Sequence, residues 1–420
     1  MKKPELLSPA GDFEKLRTVF AYGADAAYLA GGQFGMRSAA GNFTDEEIEK
    51  AAEYAHKLGK RVYVTLNTMP HTKEYPALRE FVSFLGRVGV DAVIVSDIGV
   101  LSAVKDTSPD LPVHISTQAS AVSAASCRMW HSLGAKRIVL ARELTLSEIR
   151  EIRDNTPPDL ELEAFVHGSM CIAYSGRCLL SNYFAGRGAN QGQCAQPCRW
   201  NYKMKHSFIS GDVTEEKRGN TEIPIEEHPE GTFVLSSRDL CMIDHIPELA
   251  AAGIDSFKIE GRVKSAYYGA VTSNAYRIAI DSYFNSPETY QSDPRLYYEL
   301  ESVSHREYST GFFFASPNEG ANTTAAGGYI RDRAYIAVVL SYDEDTGRAT
   351  FRQKNKISEG EPAEVVSPGV TGVRIIPRDF RDEAGEPISS TPHPSMIWSA
   401  SVPFPLHAGD ILRGAGSDIL

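Results

Sequence analysis

Four of the six cysteines, Cys171, Cys178, Cys194 and Cys198, fall in one short window with the spacing C-x6-C-x15-C-x3-C. Cys127 and Cys241 stand alone in segments that read as ordinary helix. Four thiolates can hold tetrahedral zinc or an iron–sulfur cluster, and a thiol–disulfide switch is a third use of such a set. Structural zinc sites usually pair their cysteines two to four residues apart, and here only Cys194 and Cys198 stand so close. The spacing weakens zinc without excluding it, so zinc and iron–sulfur both stay open. His167 lies four residues before Cys171. Four cysteines already complete a site, so His167 reads as a base or a substrate contact rather than a ligand. The same window is free of acids: residues 164–211 hold no Asp or Glu, but do hold Arg177, Arg187, Arg199, Lys203 and Lys205. Tyr174, Tyr183, Phe184, Trp200 and Tyr202 are interleaved with them. Cations among aromatics suit phosphate contacts and base stacking, the pattern of a surface for unpaired RNA. The competing reading makes the aromatics a shield for a metal and the arginines a solvated rim.

At 420 residues the chain is too long for one small core, and two domains are expected. With 42% apolar and 23% charged residues it has the texture of a soluble globular protein. No run approaches the length needed to cross a bilayer, and Met1-Lys-Lys-Pro opens no apolar signal segment. A cytoplasmic setting is therefore expected, where clustered cysteines serve metal or redox chemistry rather than disulfides. The formal charge of −11 argues against a general nucleic-acid coat, and leaves room for a local basic site.

The elements that must position these residues follow a clear alternation. Strand candidates lie at 6–8, 26–30, 62–66, 92–96, 113–116, 137–141 and 162–166, with two more at 233–235 and 257–259. Amphipathic helices separate them, among them 45–58, opened by a capping box of Thr44 and Glu47, and 146–153. Regular β-α alternation implies a parallel sheet, and eight units close into a TIM-like (β/α) barrel. Nine candidates are one too many, and 233–235 reads as the stray. The open doubly wound sheet is the weaker rival, because no G-x-G-x-x-G follows the first strand. Residues 206–232 read as a polar loop, 265–285 as a strong helix and 285–332 as irregular chain. Short alternating runs at 334–341, 348–353, 363–366, 373–377 and 411–412 read as a small all-β barrel or sandwich. The expected organisation is a barrel domain over 1–285 with a cysteine-rich insertion at 168–232, a connector over 286–332, and a C-terminal β-barrel domain over 333–420. That last domain is no RNA clamp by bulk charge, with 10 Lys+Arg against 13 Asp+Glu over 331–420.

A β/α barrel reacts at the carboxyl ends of its strands. The polar residues there are Ser8, Asn67, Asp97, Thr117, Gln118, Arg142, His167, Ser169, Lys258, Glu260 and Arg262. Arginines and a lysine in such a set suit a carboxylate or phosphate; any one member could equally cap a helix or pair with its neighbour. There is no H-E-x-x-H and no G-x-S-x-G, and Asp345-Thr346-Gly347 between two strand candidates reads as a hairpin turn.

The run Glu163-x-Phe165-x-x-Gly168-Ser169-Met170-Cys171-x4-Gly176-x-Cys178-x-Leu180-Ser181 resembles the signature of the collagenase-like peptidases, peptidase family U32. Ser8-Pro-Ala-Gly-Asp12, Ser116-Thr-Gln-Ala119 and Lys258-Ile-Glu-Gly-Arg262 extend the likeness over residues 1 to about 315. The family carries a peptidase name, yet its better understood members look like oxygen-independent hydroxylation proteins. They act on the wobble uridine of tRNA, with prephenate as implied hydroxyl source, on a ribosomal RNA cytidine, or on quinone precursors. The resemblance implies a [4Fe–4S] cluster on Cys171, Cys178, Cys194 and Cys198; some relatives replace one of these cysteines with one elsewhere, which makes Cys241 the alternative to Cys198 as fourth ligand. Length and the small C-terminal domain look most like the tRNA branch. Under this reading Arg142, His167, Lys258, Glu260 and Arg262, with Asn67, Asp97 and Gln118, bind a small anionic co-substrate and handle protons. Arg177, Arg187, Arg199, Trp200, Tyr202 and Lys203 meet the tRNA, with a paralogous subunit as a further partner and no membrane involved. Two rivals remain: a peptidase, and a metal-bearing scaffold that binds RNA or protein without catalysis.

Overall fold

The computed structural model describes residues 2–36, 41–175, 177–200, 236–317, 322 and 329–416, with the backbone of two further strands at Ser210–Thr214 and Glu222–Glu226. The barrel strands are β1 (Glu5–Pro9), β2 (Ala26–Leu29), β3 (Arg61–Leu66), β4 (Ala92–Val95), β5 (Val113–Ile115), β6 (Arg137–Val139) and β7 (Glu161–Ser169). The chain then forms a hairpin, β8 (Ser210–Thr214) with β9 (Glu222–Glu226), and a short strand β10 (Asp239–Cys241). The eighth barrel strand is β11 (Ser256–Ile259), and β12 (Tyr308–Ser309) follows. All eight barrel strands run parallel, and β11 pairs with both β7 and β1, which closes the ring. β10 adds to β7 from outside as an antiparallel strand, and β12 pairs with β10.

The alternation seen in the sequence is thus a closed barrel rather than an open sheet. The run at 233–235 lies outside the described residues. Two expectations change. The stretch 206–232, read as loop, carries the β8–β9 hairpin, and Cys241 sits in a strand rather than a helix. Capping explains several helix starts: Thr44 and Glu47 form the expected reciprocal box, and Thr145 with Glu148 forms another.

Strands buried on both faces should be apolar throughout, and most are. The exceptions fill the barrel axis. Glu5 and Glu163 both accept from Arg137, at 2.6 and 2.9 Å. Lys258 Nζ donates to Glu163 at 2.7 Å, and the Tyr63 hydroxyl donates to Glu5 at 2.7 Å. The Arg137 and Glu163 side chains are 2% and 0% exposed, so the charges satisfy one another out of water. Burial pushes the Glu5 carboxyl up, but Arg137, Arg61 and the Tyr63 hydroxyl outweigh it and hold the group below the ordinary carboxylate range.

The chain divides into two compact units, Met1–Leu16 with Asp25–Val263 and His305–Ile330, and Arg17–Ala24 with Lys264–Ser304 and Arg331–Leu420. In the second unit helices Ala266–Asn285 and Pro294–Glu301 join a seven-stranded antiparallel half-barrel. The helix Pro294–Glu301 falls where irregular chain was expected; Asp293 caps it and Pro294 occupies its first turn. The half-barrel strands are β13 (Tyr335–Asp343), β14 (Arg348–Gln353), β15 (Ala363–Val366), β16 (Val373–Ile375), β17 (Arg378–Asp382), β18 (Ile397–Ser401) and β19 (Ile411–Gly414). Trp398 centres their core, its ring centroid 4.5 Å from Phe351 and 4.7 Å from Phe380. Asp345-Thr346-Gly347 is the turn between β13 and β14.

Candidate active site

The carboxyl ends of the barrel strands open into a cavity of about 530 Å³. Every barrel strand after β1, or the segment that follows it, lines this space, through Tyr28, Thr65, Asn67, Ile94, Gln118, Val139, Phe165 and Lys258 among others. Lys15, from the helix after β1, completes the ring. Gly11 is what allows the β1 end to close on β11, because a Cβ there would collide with the carbonyl oxygen of Arg262.

Lys258 occupies the floor. Its ammonium binds Glu163 and stands 4.7 Å from the Tyr28 ring centre and 5.3 Å from that of Phe165. Arg262, 4% exposed, donates to the Thr65 hydroxyl at 3.2 Å. The Tyr28 hydroxyl donates to the Glu260 carboxylate at 3.2 Å. Arg142 lies over the Phe165 ring and donates to the Ser169 carbonyl at 2.8 Å and to the Ser175 hydroxyl at 2.5 Å. The cavity therefore sets cations and hydrogen-bond donors against aromatic rings, with Lys258 at its floor, a setting for an organic anion.

All four clustered cysteines line this same cavity. The cysteine lobe follows β7, near whose end Gly168 takes a φ of 103° that only glycine adopts without strain. It is tied down by Met69, whose backbone N–H donates to the Asn190 carbonyl at 3.2 Å, and by Arg199, which donates to the Met170 carbonyl at 3.3 Å. Cys171 and Cys194 are exposed, Cys178 and Cys198 half-buried. Burial pushes the Cys198 thiol up, Arg199 pulls it back, and the charges of Cys171, Cys194 and Cys178 push it up again. Four thiols that repel one another as anions are a donor set that a cationic metal core would relieve. As the side chains stand, no three Cys, His, Asp or Glu among the described residues are grouped to hold an ion. The donor chemistry fits a four-thiolate centre; the coordination shell itself is not formed. Cys241 is buried in β10 opposite His167 and does not line the cavity.

Of the eight polar residues expected to work together, Asn67, Gln118, Arg142, Lys258, Glu260 and Arg262 converge on the cavity. Two do not. Asp97 caps helix Ile98–Thr107, accepting from the Gly99 and Val100 backbone N–H groups at 2.9 and 3.1 Å. His167 is buried elsewhere, its ring 5.4 Å from that of Tyr308 on β12. The cause is a bulge. On β7, Phe165 pairs with Lys258 but His167 pairs with Ile259, so Val166 is an extra residue that reverses the alternation. Glu163 meets Lys258 and Arg137 in the barrel interior and Phe165 lines the cavity, whereas His167 is turned toward β12.

Tyr28, Thr65, Lys15 and Ser175 line the cavity without having been anticipated. Tyr28 and Thr65 left one signal, being polar residues inside otherwise apolar parallel strands. Beside the cysteines, Arg177, Arg187 and Trp200 are exposed and Arg199 is half-buried, whereas Tyr202 and Lys203 lie outside the described residues. Tyr183, Phe184 and Trp200 form a chain of exposed rings, with centroids 5.0 and 6.5 Å apart.

Residues 11–323 match the profile of peptidase family U32, and residues 331–413 match the peptidase family U32 C-terminal domain. The chain belongs to peptidase family U32. It is 36% identical over 414 residues to tRNA hydroxylation protein P1 of Bacillus subtilis, covering 98% of this chain and 95% of that one. It is 36% identical over 399 residues to tRNA hydroxylation protein P of Escherichia coli, covering 88% and 87% of the two chains. An uncharacterized protease of Methanocaldococcus jannaschii is 43% identical over 323 residues, covering 75% and 74%. Relatives of this U32 chain thus carry both an RNA-modification name and a protease name. No helix among the described residues is long and apolar enough to cross a membrane.

Proposed function

We propose that this protein is a cytoplasmic tRNA-hydroxylating enzyme that forms 5-hydroxyuridine at the wobble position without molecular oxygen, using prephenate as co-substrate. The observation that carries the reading is the meeting of all four clustered cysteines with Arg142, Lys258, Glu260 and Arg262 on one cavity at the reactive end of a β/α barrel. The near full-length likeness to proteins named for tRNA hydroxylation supports the choice of substrate.

Cys171, Cys178, Cys194 and Cys198 would hold a [4Fe–4S] cluster, which supplies one-electron chemistry when bound. The chain's own groups do the rest. Arg142 and Arg262 would bind the co-substrate's carboxylates through charge-assisted bonds. Lys258, held by Glu163, keeps an ammonium at the floor, and Glu260 offers a carboxylate for proton transfer. Arg177, Arg187, Arg199 and Trp200, with the Tyr183–Phe184 pair, give the rim cations and stacking faces for an unpaired nucleotide. A peptidase has less support: among the described residues the cavity lining includes no serine–histidine pair, and His167 is turned away from it.

Two measurements test the proposal. Protein purified without oxygen should contain about four irons and four sulfides per chain, by the composition of such a cluster, and Cys171→Ala should lose them. Stoichiometric zinc in their place would sink the cofactor assignment. Nucleoside analysis of tRNA from a strain lacking this gene and its paralogues should show 5-hydroxyuridine derivatives gone. Their persistence would sink the function.

A further inference from the structure

One group in the cavity wall has a donor that no described residue uses, and the orientation of its neighbours identifies it. The Met36 backbone N–H donates to Asn67 Oδ1 at 3.0 Å. A backbone N–H can only donate, so it fixes which end of the Asn67 carboxamide is oxygen. Asn67 Nδ2 must then donate, at 2.6 Å, and the Gln118 atom that it meets must be Oε1. The Ser116 hydroxyl stands 3.4 Å from the same oxygen. Gln118 is left with its Nε2, buried and without a hydrogen-bond partner among the described residues. The side chain is 6% exposed and belongs to the cavity lining. A buried amide donor with nothing to accept from it destabilises a fold, and a ligand in the cavity is a natural source of the missing acceptor.

We propose that Gln118 is a specificity-determining residue that reads a hydrogen-bond acceptor on the bound ligand, a keto or carboxylate oxygen, and that Asn67 is the positioning residue that sets its sense. The proposal rests on the RNA-hydroxylation reading. Uracil carries an oxygen at C4 where cytosine carries an amino group, so a contact that only donates admits the first base and rejects the second. A carboxylate of the small acid offers the same acceptor chemistry.

The test uses the full-length protein with an anticodon stem-loop RNA bearing uridine at the target position, the same RNA bearing cytidine, and prephenate. Wild-type protein is expected to bind the uridine RNA at least tenfold more tightly than the cytidine RNA. Asn67→Asp can only accept toward Gln118, so it should turn the amide and present oxygen to the cavity. Selectivity should then invert although Gln118 itself is untouched, an outcome that loss of a merely structural contact would not produce. Gln118→Met removes the donor without adding charge and should bring the ratio near one, which keeps the test open should Asn67→Asp fail to fold. If both variants keep the RNA selectivity but raise the KM for prephenate about tenfold, the proposal stands with the acid as source of the acceptor. Wild-type selectivity together with a wild-type prephenate KM in both variants overturns it. A wild-type protein that leaves uridine RNA unhydroxylated overturns the functional reading, and this proposal with it.

Discussion

Arg137 is the residue on which the barrel interior turns. Its guanidinium meets Glu5, Glu161 and Glu163 at 2.6, 2.7 and 2.9 Å while only 2% exposed. Arg137→Met fills a similar volume but leaves Glu163 with Lys258 alone and Glu5 with Arg61, Tyr63 and Ser256, so two buried carboxylates lose a charged partner at once. Removing one partner of a buried pair costs about 3–5 kcal/mol, and a drop of that size in unfolding free energy by denaturant titration is expected. A small change would mean that water reaches the network. His114, on β5, faces the same network, its ring packed edge-on against Tyr63 with centroids 4.7 Å apart. Burial, then the charges of Arg137, Lys258 and Arg61, hold its imidazole well below the usual histidine range. The unfolded chain therefore takes up a proton that the folded chain refuses. This contribution is complete above the unfolded pKa, roughly 6.5, and is lost as pH falls from there toward the folded value. Stability measured from pH 7 down to pH 5 should decline, and His114→Gln should flatten that part of the slope. An unchanged slope would assign the acid sensitivity to other groups.

At the scale of elements, the sequence exposed the periods and hid the interruptions. The barrel strands were legible because parallel strands buried on both faces are short apolar runs between helix patterns, and Thr44 with Glu47 announced its helix directly. The bulge at Val166 was not legible, since one extra residue changes no composition yet turns His167 from the cavity toward β12. Strand β10 was hidden because it is three residues long and pairs antiparallel to an otherwise parallel sheet. Asp97 misled for a different reason: a carboxylate that ends a strand also starts the next helix, and position in the sequence does not separate the two jobs. Its cap gives a clean expectation. Asp97→Ala should lose about 1 kcal/mol of stability and keep its hydroxylation rate per folded molecule. A fall in that rate of tenfold or more would return Asp97 to the reactive machinery.

For the whole molecule, the contrast is between an acidic chain, net −11, and a cysteine lobe with no acid from 164 to 211. That contrast was fully legible, because charge is a property of the sequence itself, whereas the meeting of Arg142, Lys258 and Arg262 with the cysteines needed the closed ring. If the protein acts on RNA as proposed, local positive charge on an acidic body would make its RNA binding depend on salt through the few phosphates that the lobe would engage. Each single-strand phosphate contact contributes about 0.7 to the slope of log K against log salt. Arg177→Ala and Arg187→Ala should each reduce the slope for an anticodon stem-loop by about that amount, and unchanged slopes would remove these arginines from the RNA surface. The most direct test of the central claim restores tRNA hydroxylation in a strain stripped of this gene and its paralogues. The wild-type chain should bring back 5-hydroxyuridine derivatives in total tRNA, measured by mass spectrometry of nucleosides, and Cys171→Ala and Cys194→Ala should bring back none while accumulating as folded protein. Full restoration by chains without these cysteines would contradict the account.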